Sequence, residues 1–171
     1  MKQSELITAA LKGDATLVVK NARVVNVFTN EILEGDVALS EDTIIGVGKG
    51  FAAREEIDAG GAYLCPGFID AHVHIESSMV IPDSFSRVIM PHGTTTIIAD
   101  PHEIANVCGV AGVRAIYKLS DDLPLRVLFM MPSCVPATPF ENSGATLTAE
   151  DMEQFMRKSR ILGLGQVMDA V

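Results

Sequence analysis

The 171-residue sequence predicts an α/β fold in two parts, and three observations support this prediction. Between residues 15 and 62, short segments rich in β-branched residues are separated by polar turns, which is typical of a small β-sandwich or open barrel. From residue 63 onward, strands alternate with helices, as in βαβ units with a parallel sheet. These later strands are continuous apolar runs, which favours strands covered on both faces. We therefore predict domains at residues 1–62 and 63–171.

The first part is predicted to contain one helix followed by short strands. Residues 4–12 carry apolar side chains at helical spacing, and Gly13 suits the end of a helix. Strands are predicted at residues 16–20, 22–28, 34–39 and 43–47. No residue here has the pattern of a functional site, so we expect this part to be a scaffold.

The second part is predicted to contain about four βα units. The predicted strands are residues 64–74, 93–100, 125–131 and 161–168. The predicted helices are residues 83–90, 102–119 and 148–158. Pro82 suits the first position of its helix, and Thr148 with Asp151 forms a weak capping box.

Two histidines stand near the end of the first of these strands, in the segment Pro-Gly-Phe-Ile-Asp-Ala-His-Val-His-Ile-Glu at residues 66–76. Because side chains alternate along a strand, His72 and His74 point to the same side and can hold a divalent metal through their ring nitrogens. Asp70 and Glu76 share that parity and are expected to add carboxylates to the same face. The segment predicts a metal site.

Further polar residues fall where the other predicted strands end. The whole set is His72, His74, Asp100, His102, Ser133 and Gln166. In parallel α/β barrels the chemistry gathers at the carboxyl ends of the strands. The predicted site therefore draws on all four strands.

Composition excludes several classes of partner. A formal net charge of −9 argues against binding the nucleic-acid backbone. No segment reaches about 18 uninterrupted apolar residues, so we expect no membrane partner. The widely spaced cysteines Cys65, Cys108 and Cys134 indicate neither a disulfide framework nor a metal knuckle, and favour reduced thiols in a cytoplasmic protein.

Three segments of the sequence resemble one family. Residues 66–74 resemble the first barrel strand of the amidohydrolase superfamily, and Ile-Glu-Ser-Ser-Met at 75–79 with Ala-Asp-Pro-His-Glu-Ile-Ala-Asn-Val at 99–107 resembles the bacterial adenine deaminases. The resemblance implies the N-terminal part of a (β/α)8 TIM-like barrel, preceded by part of a small β-sandwich. It also implies a hydrolase of purine salvage in which hydroxide from a two-metal centre attacks C6 of adenine and releases ammonia and hypoxanthine. The implied metal is manganese or iron, with zinc as the alternative.

The resemblance also suggests roles for single residues. It places His72 and His74 on the more buried ion, and it puts Gln166 where similar sequences carry a glutamate that bridges the metals. Glutamine can still coordinate, but it brings no negative charge. The general base is expected beyond residue 171.

Four polar residues have a structural and a functional interpretation each. Asp100, His102 and Glu103 either form the start of a helix or contact the purine or the metal-bound water. Glu76 either orients a histidine or is an ordinary loop acid. The sequence leaves both pairs of alternatives open.

Residues 63–171 are far fewer than the roughly 250 of a complete barrel. We therefore expect this chain alone not to be a competent deaminase, and expect it to associate, as a homo-oligomer or otherwise, through the exposed edge of a half-barrel. Two other functions stay open: a catalytically inactive domain, and an amidohydrolase acting on another cyclic amide or N-acyl compound.

Overall fold

The computed structural model describes Glu5 and residues 15–168. The helix predicted at residues 4–12 therefore lies, apart from Glu5, outside the described residues. The chain divides into two compact units, with the boundary between Pro66 and Gly67. Among the described residues, no helix combines the length and the apolar character needed to cross a membrane.

The first unit contains one five-stranded sheet. Its strands are β1 (Ala15–Asn26), β2 (Glu31–Ser40), β3 (Thr43–Gly48), β4 (Ala53–Asp58) and β5 (Tyr63–Leu64). The order is β3-β2-β1-β4, and β5 also pairs with β1. The β1–β2 and β2–β3 pairs are antiparallel, whereas β4 and β5 run parallel to β1. A small apolar cluster that includes Ala15, Val18 and Ala38 forms its core.

Two strands predicted in this unit are one strand in the structure. Strand β1 continues through a bulge, because Val19 pairs with Val37 but Ala22 pairs with Gly35. Asn21 lies in the bulge with φ of 54°. This polar residue interrupts the run of β-branched residues, so the sequence predicted two strands in place of one. Strand β4 was not predicted, since its residues are mostly charged and exposed and do not show the apolar alternation of a strand.

The second unit is a parallel sheet with helices in its crossovers. Its strands, in spatial order, are β6 (Phe68–Val73), β7 (Thr94–Ala99), β8 (Arg126–Met131) and β9 (Ile161–Leu164). The helices are α1 (Pro82–Ile89), α2 (His102–Leu119) and α3 (Ala149–Met156). Side chains of the central strands and of α2 and α3, such as Phe129, Val113 and Phe155, form the core. The predicted alternation of strands and helices is confirmed.

Local signals explain where the helices begin and bend. Pro82 is the first residue of α1. The predicted capping box of α3 is present. Thr148 Oγ1 accepts a hydrogen bond from the Asp151 amide at 3.2 Å, and the Asp151 carboxylate accepts one from the Thr148 amide at 2.9 Å. Helix α2 is not continuous as predicted. It bends at Gly109, whose φ of 59° and ψ of −145° are not helical.

Two predictions about the strands are wrong. The first strand was expected to be buried, yet Phe68 is 59% and Ile69 is 65% exposed. Strand β6 is an edge strand of the sheet and pairs only with β7 among the described residues, so one side of it is uncovered. Strand β9 ends at Leu164, so Gln166 lies beyond the strand rather than on it.

Candidate active site

The two histidine rings converge at the end of β6. His72 belongs to the strand and His74 follows its last residue, and their Nε2 atoms are 3.2 Å apart. The ring centroids are 5.1 Å apart. His72 is exposed, whereas the side chain of His74 is only 22% exposed. The same-side placement predicted from strand parity is therefore present in the structure.

The separation of the two nitrogens fits a shared metal ion. Imidazole nitrogens bind zinc at about 2.0–2.1 Å, so two of them on one tetrahedral ion stand about 3.3 Å apart. The observed 3.2 Å between the Nε2 atoms of His72 and His74 matches this spacing. Within residues 15–168, no group of three or more His, Cys, Asp and Glu side chains is arranged to hold a metal. The described part of the chain thus offers two converging imidazoles as ligands.

The two acids expected on the same face have other partners. Asp70 Oδ1 accepts a hydrogen bond from the backbone amide of His72 at 3.1 Å. Glu76 lies in a 3-10 turn, residues 76–78, and its Oε1 accepts a hydrogen bond from the backbone amide of Ile104 at 3.1 Å. Each of the two carboxylates therefore binds a backbone amide, and the structure shows no contact of either with a histidine ring among the described residues.

Glu76 instead caps helix α2 from another element. The residue before the helix, Pro101, makes no side-chain capping bond, and the amide of Ile104 in the first turn is satisfied by Glu76. The cap interpretation of Asp100 is therefore not supported. Sequence reasoning missed this role of Glu76, because the carboxylate and the amide are 28 residues apart and no local motif connects them.

Glu103, in the first turn of α2, lies behind His74. Its Oε2 is 3.0 Å from His74 Nδ1, and its Oε1 accepts a hydrogen bond from Ser77 Oγ at 2.7 Å. The Nδ1 and Oε2 atoms are buried and close, but they are not aligned as a good hydrogen bond. A carboxylate beside the far nitrogen of a metal-ligating histidine is a common arrangement in metal sites.

The two glutamates have opposite pKa shifts. Burial raises the pKa of Glu76, and the negative charge of Glu103 raises it further against the effect of the backbone amides. Burial also acts to raise the pKa of Glu103, but the Ser77 hydroxyl, its own backbone amide and His74 outweigh it and lower that pKa. Of the two, Glu103 is therefore the one that holds its negative charge more firmly, next to His74.

Asp100 follows β7 and is buried among the histidines. Its Oδ2 accepts a hydrogen bond from the Gln166 amide at 3.2 Å, while its Oδ1 is buried without a hydrogen-bond partner among the described residues. Burial raises the pKa of Asp100, and the Gln166 amide and the charges of His74, His102 and His72 counteract this effect. Asp100 is thus an acid held in electrostatic reach of three imidazoles.

Two further buried polar atoms lie on α2. His102 Nδ1 and Asn106 Oδ1 are without hydrogen-bond partners among the described residues. The two residues are four apart, so they share one face of the helix. Asn106 was not predicted as a site residue, although its spacing from His102 was a signal that could have found it.

Gln166 is tied to the site by its backbone. Its amide donates to Asp100, as above, and its carbonyl oxygen accepts a hydrogen bond from Ser133 Oγ at 2.5 Å. The residue itself is exposed. The structure therefore brings the ends of β7, β8 and β9 together, as the sequence predicted, through Asp100, Ser133 and Gln166.

The family follows from a direct match. The model of the amidohydrolase family matches residues 63–168, and this chain belongs to that family. Its curated relatives include the adenine deaminase of Halalkalibacterium halodurans, which is 53% identical over 98% of this chain, and that of Geobacillus kaustophilus, which is 52% identical over 97% of it. The chain spans 29% of the length of each. The resemblance to adenine deaminases is confirmed.

Solved structures confirm the fold. The D-hydantoinase of a Thermus species superposes with a TM-score of 0.60 at 21% identity, over 82% of this chain and 31% of that one. The atrazine chlorohydrolase of Arthrobacter aurescens, solved in complex with zinc, has a TM-score of 0.62 at 14% identity, over 87% of this chain and 46% of that one. These similarities support the predicted partial amidohydrolase fold.

Proposed function

We propose that this chain forms the part of an adenine deaminase that holds a divalent metal, in an enzyme that converts adenine and water to hypoxanthine and ammonia. The observation that carries the proposal is the 3.2 Å separation of the Nε2 atoms of His72 and His74. Identity above 50% to adenine deaminases over nearly the whole chain supports the choice of substrate over other cyclic amides.

In this proposal each residue has a defined task. His72 and His74 hold the ion through Nε2, and a divalent ion bound there supplies Lewis-acid activation of water near neutral pH. Asp100 is proposed to take the active-site role that the sequence left open, and the buried Oδ1 without a hydrogen-bond partner among the described residues supports this proposal. His102, on α2, is proposed to contact the purine. Manganese or iron is the proposed metal, and zinc is the alternative, since imidazole suits all such ions.

Metal stoichiometry tests the first part of the proposal. The purified chain is loaded with Mn²⁺, Fe²⁺ or Zn²⁺, separated from free metal by gel filtration, and analysed for bound metal. We expect about one ion per chain in the wild type and none in the His72→Ala/His74→Ala double variant. His92→Ala is the matched control, because His92 is exposed in a separate 3-10 turn, residues 90–92. A wild-type chain without metal would favour the inactive-domain alternative.

A chimera tests the substrate. The matching 29% of the Halalkalibacterium halodurans adenine deaminase is replaced by this chain, and ammonia release from adenine and from a dihydropyrimidine is measured. We expect release from adenine only, weakly with Gln166 and more strongly after Gln166→Glu. Release from the dihydropyrimidine alone would refute the assignment of adenine.

We also propose that the sheet of the second unit associates through its edges. Strands β6 and β9 are the outer strands, and both expose apolar side chains, namely Phe68, Ile69, Leu162 and Leu164. Unpaired edge strands with apolar residues favour pairing with another chain. A second copy of this chain is the proposed partner.

A further inference from the structure

The imidazole of His74 contacts a different group through each of its nitrogens. Its Nε2 faces Nε2 of His72, and its Nδ1 lies 3.0 Å from Oε2 of Glu103. A neutral imidazole carries its proton on only one of the two nitrogens. Nε2 has a free lone pair for binding a metal ion only if the proton is on Nδ1.

We infer that Glu103 is a positioning residue that holds the proton of His74 on Nδ1, so that the lone pair of Nε2 points toward His72. If the proton were on Nε2, the lone pair of Nδ1 would face a carboxylate oxygen at 3.0 Å, which is electrostatically unfavourable. With the proton on Nδ1, a small rotation of the ring pairs two buried polar atoms that are otherwise unsatisfied. The consequence for metal affinity rests on the proposed function, whereas the position of the proton does not.

The carboxylate of Glu103 is itself fixed. Ser77 Oγ donates a 2.7 Å hydrogen bond to its Oε1, and Ser77 lies in the turn that follows His74. In the opposite direction, Glu76 of that turn accepts a hydrogen bond from the Ile104 amide of α2. The turn at residues 76–78 and helix α2 thus each contribute one glutamate that binds the other. This reciprocal pair of contacts holds the start of α2 against the residues after β6, and keeps Oε2 beside the imidazole.

A simpler role for Glu103 is that of an acid in the first turn of a helix, where the helix dipole favours negative charge. Glu150 provides the matched control, because it is the second residue of α3 as Glu103 is the second residue of α2. Removing either carboxylate loses the same dipole interaction. Only the removal of Glu103 affects a histidine.

The test measures the position of the proton and the metal affinity separately. Nitrogen-15 NMR of histidine-labelled chain at about pH 8 reports which nitrogen of each imidazole carries the proton. We expect His74 to be protonated on Nδ1 in the wild type and in Glu150→Ala, and to be mixed in Glu103→Ala. In a chelator competition with Zn²⁺, we expect Glu103→Ala to bind about 10- to 100-fold more weakly, and Glu150→Ala to bind like the wild type.

Glu103→Leu fills a similar volume but offers no hydrogen-bond acceptor, and it gives the same readings should Glu103→Ala fail to fold. The inference is overturned if wild-type His74 carries its proton on Nε2, or if neither variant of Glu103 moves the proton. If the wild type binds no Zn²⁺ while the proton still depends on Glu103, the proposed metal site fails and the inference stands. If the wild type binds Zn²⁺ but the position of the His74 proton is the same with and without Glu103, the inference fails and the proposed metal site stands.

Discussion

Gln166 stands at the position where the family resemblance predicts a metal-bridging glutamate. Its backbone is held by Asp100 and Ser133, so a change of its side chain leaves these contacts in place. We expect Gln166→Glu to raise affinity for Mn²⁺ or Zn²⁺ by about tenfold or more, because an anionic oxygen stabilises a divalent ion better than an amide does. Isothermal titration of wild type and variant measures this.

Gln154→Glu is the control for Gln166→Glu, because Gln154 is an exposed glutamine on α3 that accepts a hydrogen bond from Arg114, so the same unit of charge is added beside an arginine. Equal gains in both variants would show that net charge, rather than a ligand at position 166, sets the affinity. A gain confined to Gln166→Glu supports the metal-facing role of this position.

The hydrogen bond between Asn21 and Asp58 predicts that the stability of the first unit depends on pH. The side-chain amide of Asn21 donates to Asp58 Oδ1 at 3.0 Å, and this bond, together with the Gly60 amide, lowers the pKa of Asp58 below 3.8 despite a small opposing effect of burial. The carboxylate therefore stabilises the fold fully above the unfolded-chain value, and this contribution is lost as pH falls through the lower folded value.

Replacing Asn21 by glycine keeps the left-handed backbone without strain and removes the amide. We expect the urea midpoint of the wild type to fall more between about pH 7 and pH 2 than that of Asn21→Gly. Asn30→Gly is the control, since Asn30 is also left-handed with φ of 57° and lies in a separate turn. If the wild type and Asn21→Gly fall by the same amount, Asn21 does not set the pKa of Asp58.

The position of the chain just after β9 depends on Gly165 having no side chain. A Cβ on Gly165 would lie 2.2 Å from Oδ2 of Asp100, whereas a Cβ on Gly163 would meet only Met130 Cε at 3.6 Å. We expect Gly165→Ala to cost about 1–3 kcal/mol of unfolding free energy, because the carboxylate or the strand must move. Gly163→Ala is expected to be neutral or slightly stabilising.

Urea unfolding of both glycine variants measures these costs, and NMR shifts of His72 and His74 show whether the change reaches the site. Equal stability of the two variants would mean that Asp100 moves without cost. A shift of the histidine signals only in Gly165→Ala supports the view that the chain end after β9 holds Asp100 beside the imidazoles.

At the scale of helices and strands, local signals were sufficient where the determinants lie close in sequence. Pro82 and the Thr148–Asp151 box placed two helix starts, and the apolar runs placed β7 and β8. The bulge at Asn21 and the bend at Gly109 were missed, because each depends on backbone conformation that the apolar pattern does not encode. Burial of β6 was wrongly predicted, since burial depends on neighbouring strands rather than on the strand's own residues.

The site follows the same rule. Convergence of His72 and His74 was predictable from their two-residue spacing, although His74 follows the last residue of β6 and the pairing of that strand is irregular between Asp70 and Val73. The contact of Glu103 with His74 and the capping of α2 by Glu76 were not, because they join residues 29 and 28 positions apart. Those contacts depend on how a crossover helix docks beside its strand.

At the scale of the whole molecule, the two edge strands predict self-association. We expect light scattering after gel filtration to show a mass that rises with concentration, and Ile69→Lys to shift it toward the monomer, because a charge on an edge strand opposes pairing. Phe140→Lys is the control, since Phe140 is 95% exposed and belongs to the segment between β8 and α3 rather than to either edge strand. A monomer at all concentrations, or an equal effect of both variants, contradicts the proposal.

The two compact units predict that metal stabilises only one of them. The chain has no tryptophan and two tyrosines, Tyr63 in the first unit and Tyr117 in the second. Tyr63→Phe therefore leaves a fluorescence signal from the second unit, and Tyr117→Phe leaves one from the first. A ligand at 100 times its dissociation constant stabilises the folded state that binds it by about 2.7 kcal/mol.

We expect saturating Zn²⁺ to raise the melting temperature of the Tyr63→Phe chain by several degrees, and to leave that of the Tyr117→Phe chain unchanged. Adding His72→Ala to Tyr63→Phe should abolish the shift, because one imidazole of the pair is lost. A shift in both single-tyrosine chains would mean that the units unfold together. A shift seen only through Tyr63 would place the metal in the first unit and contradict the site at His72 and His74.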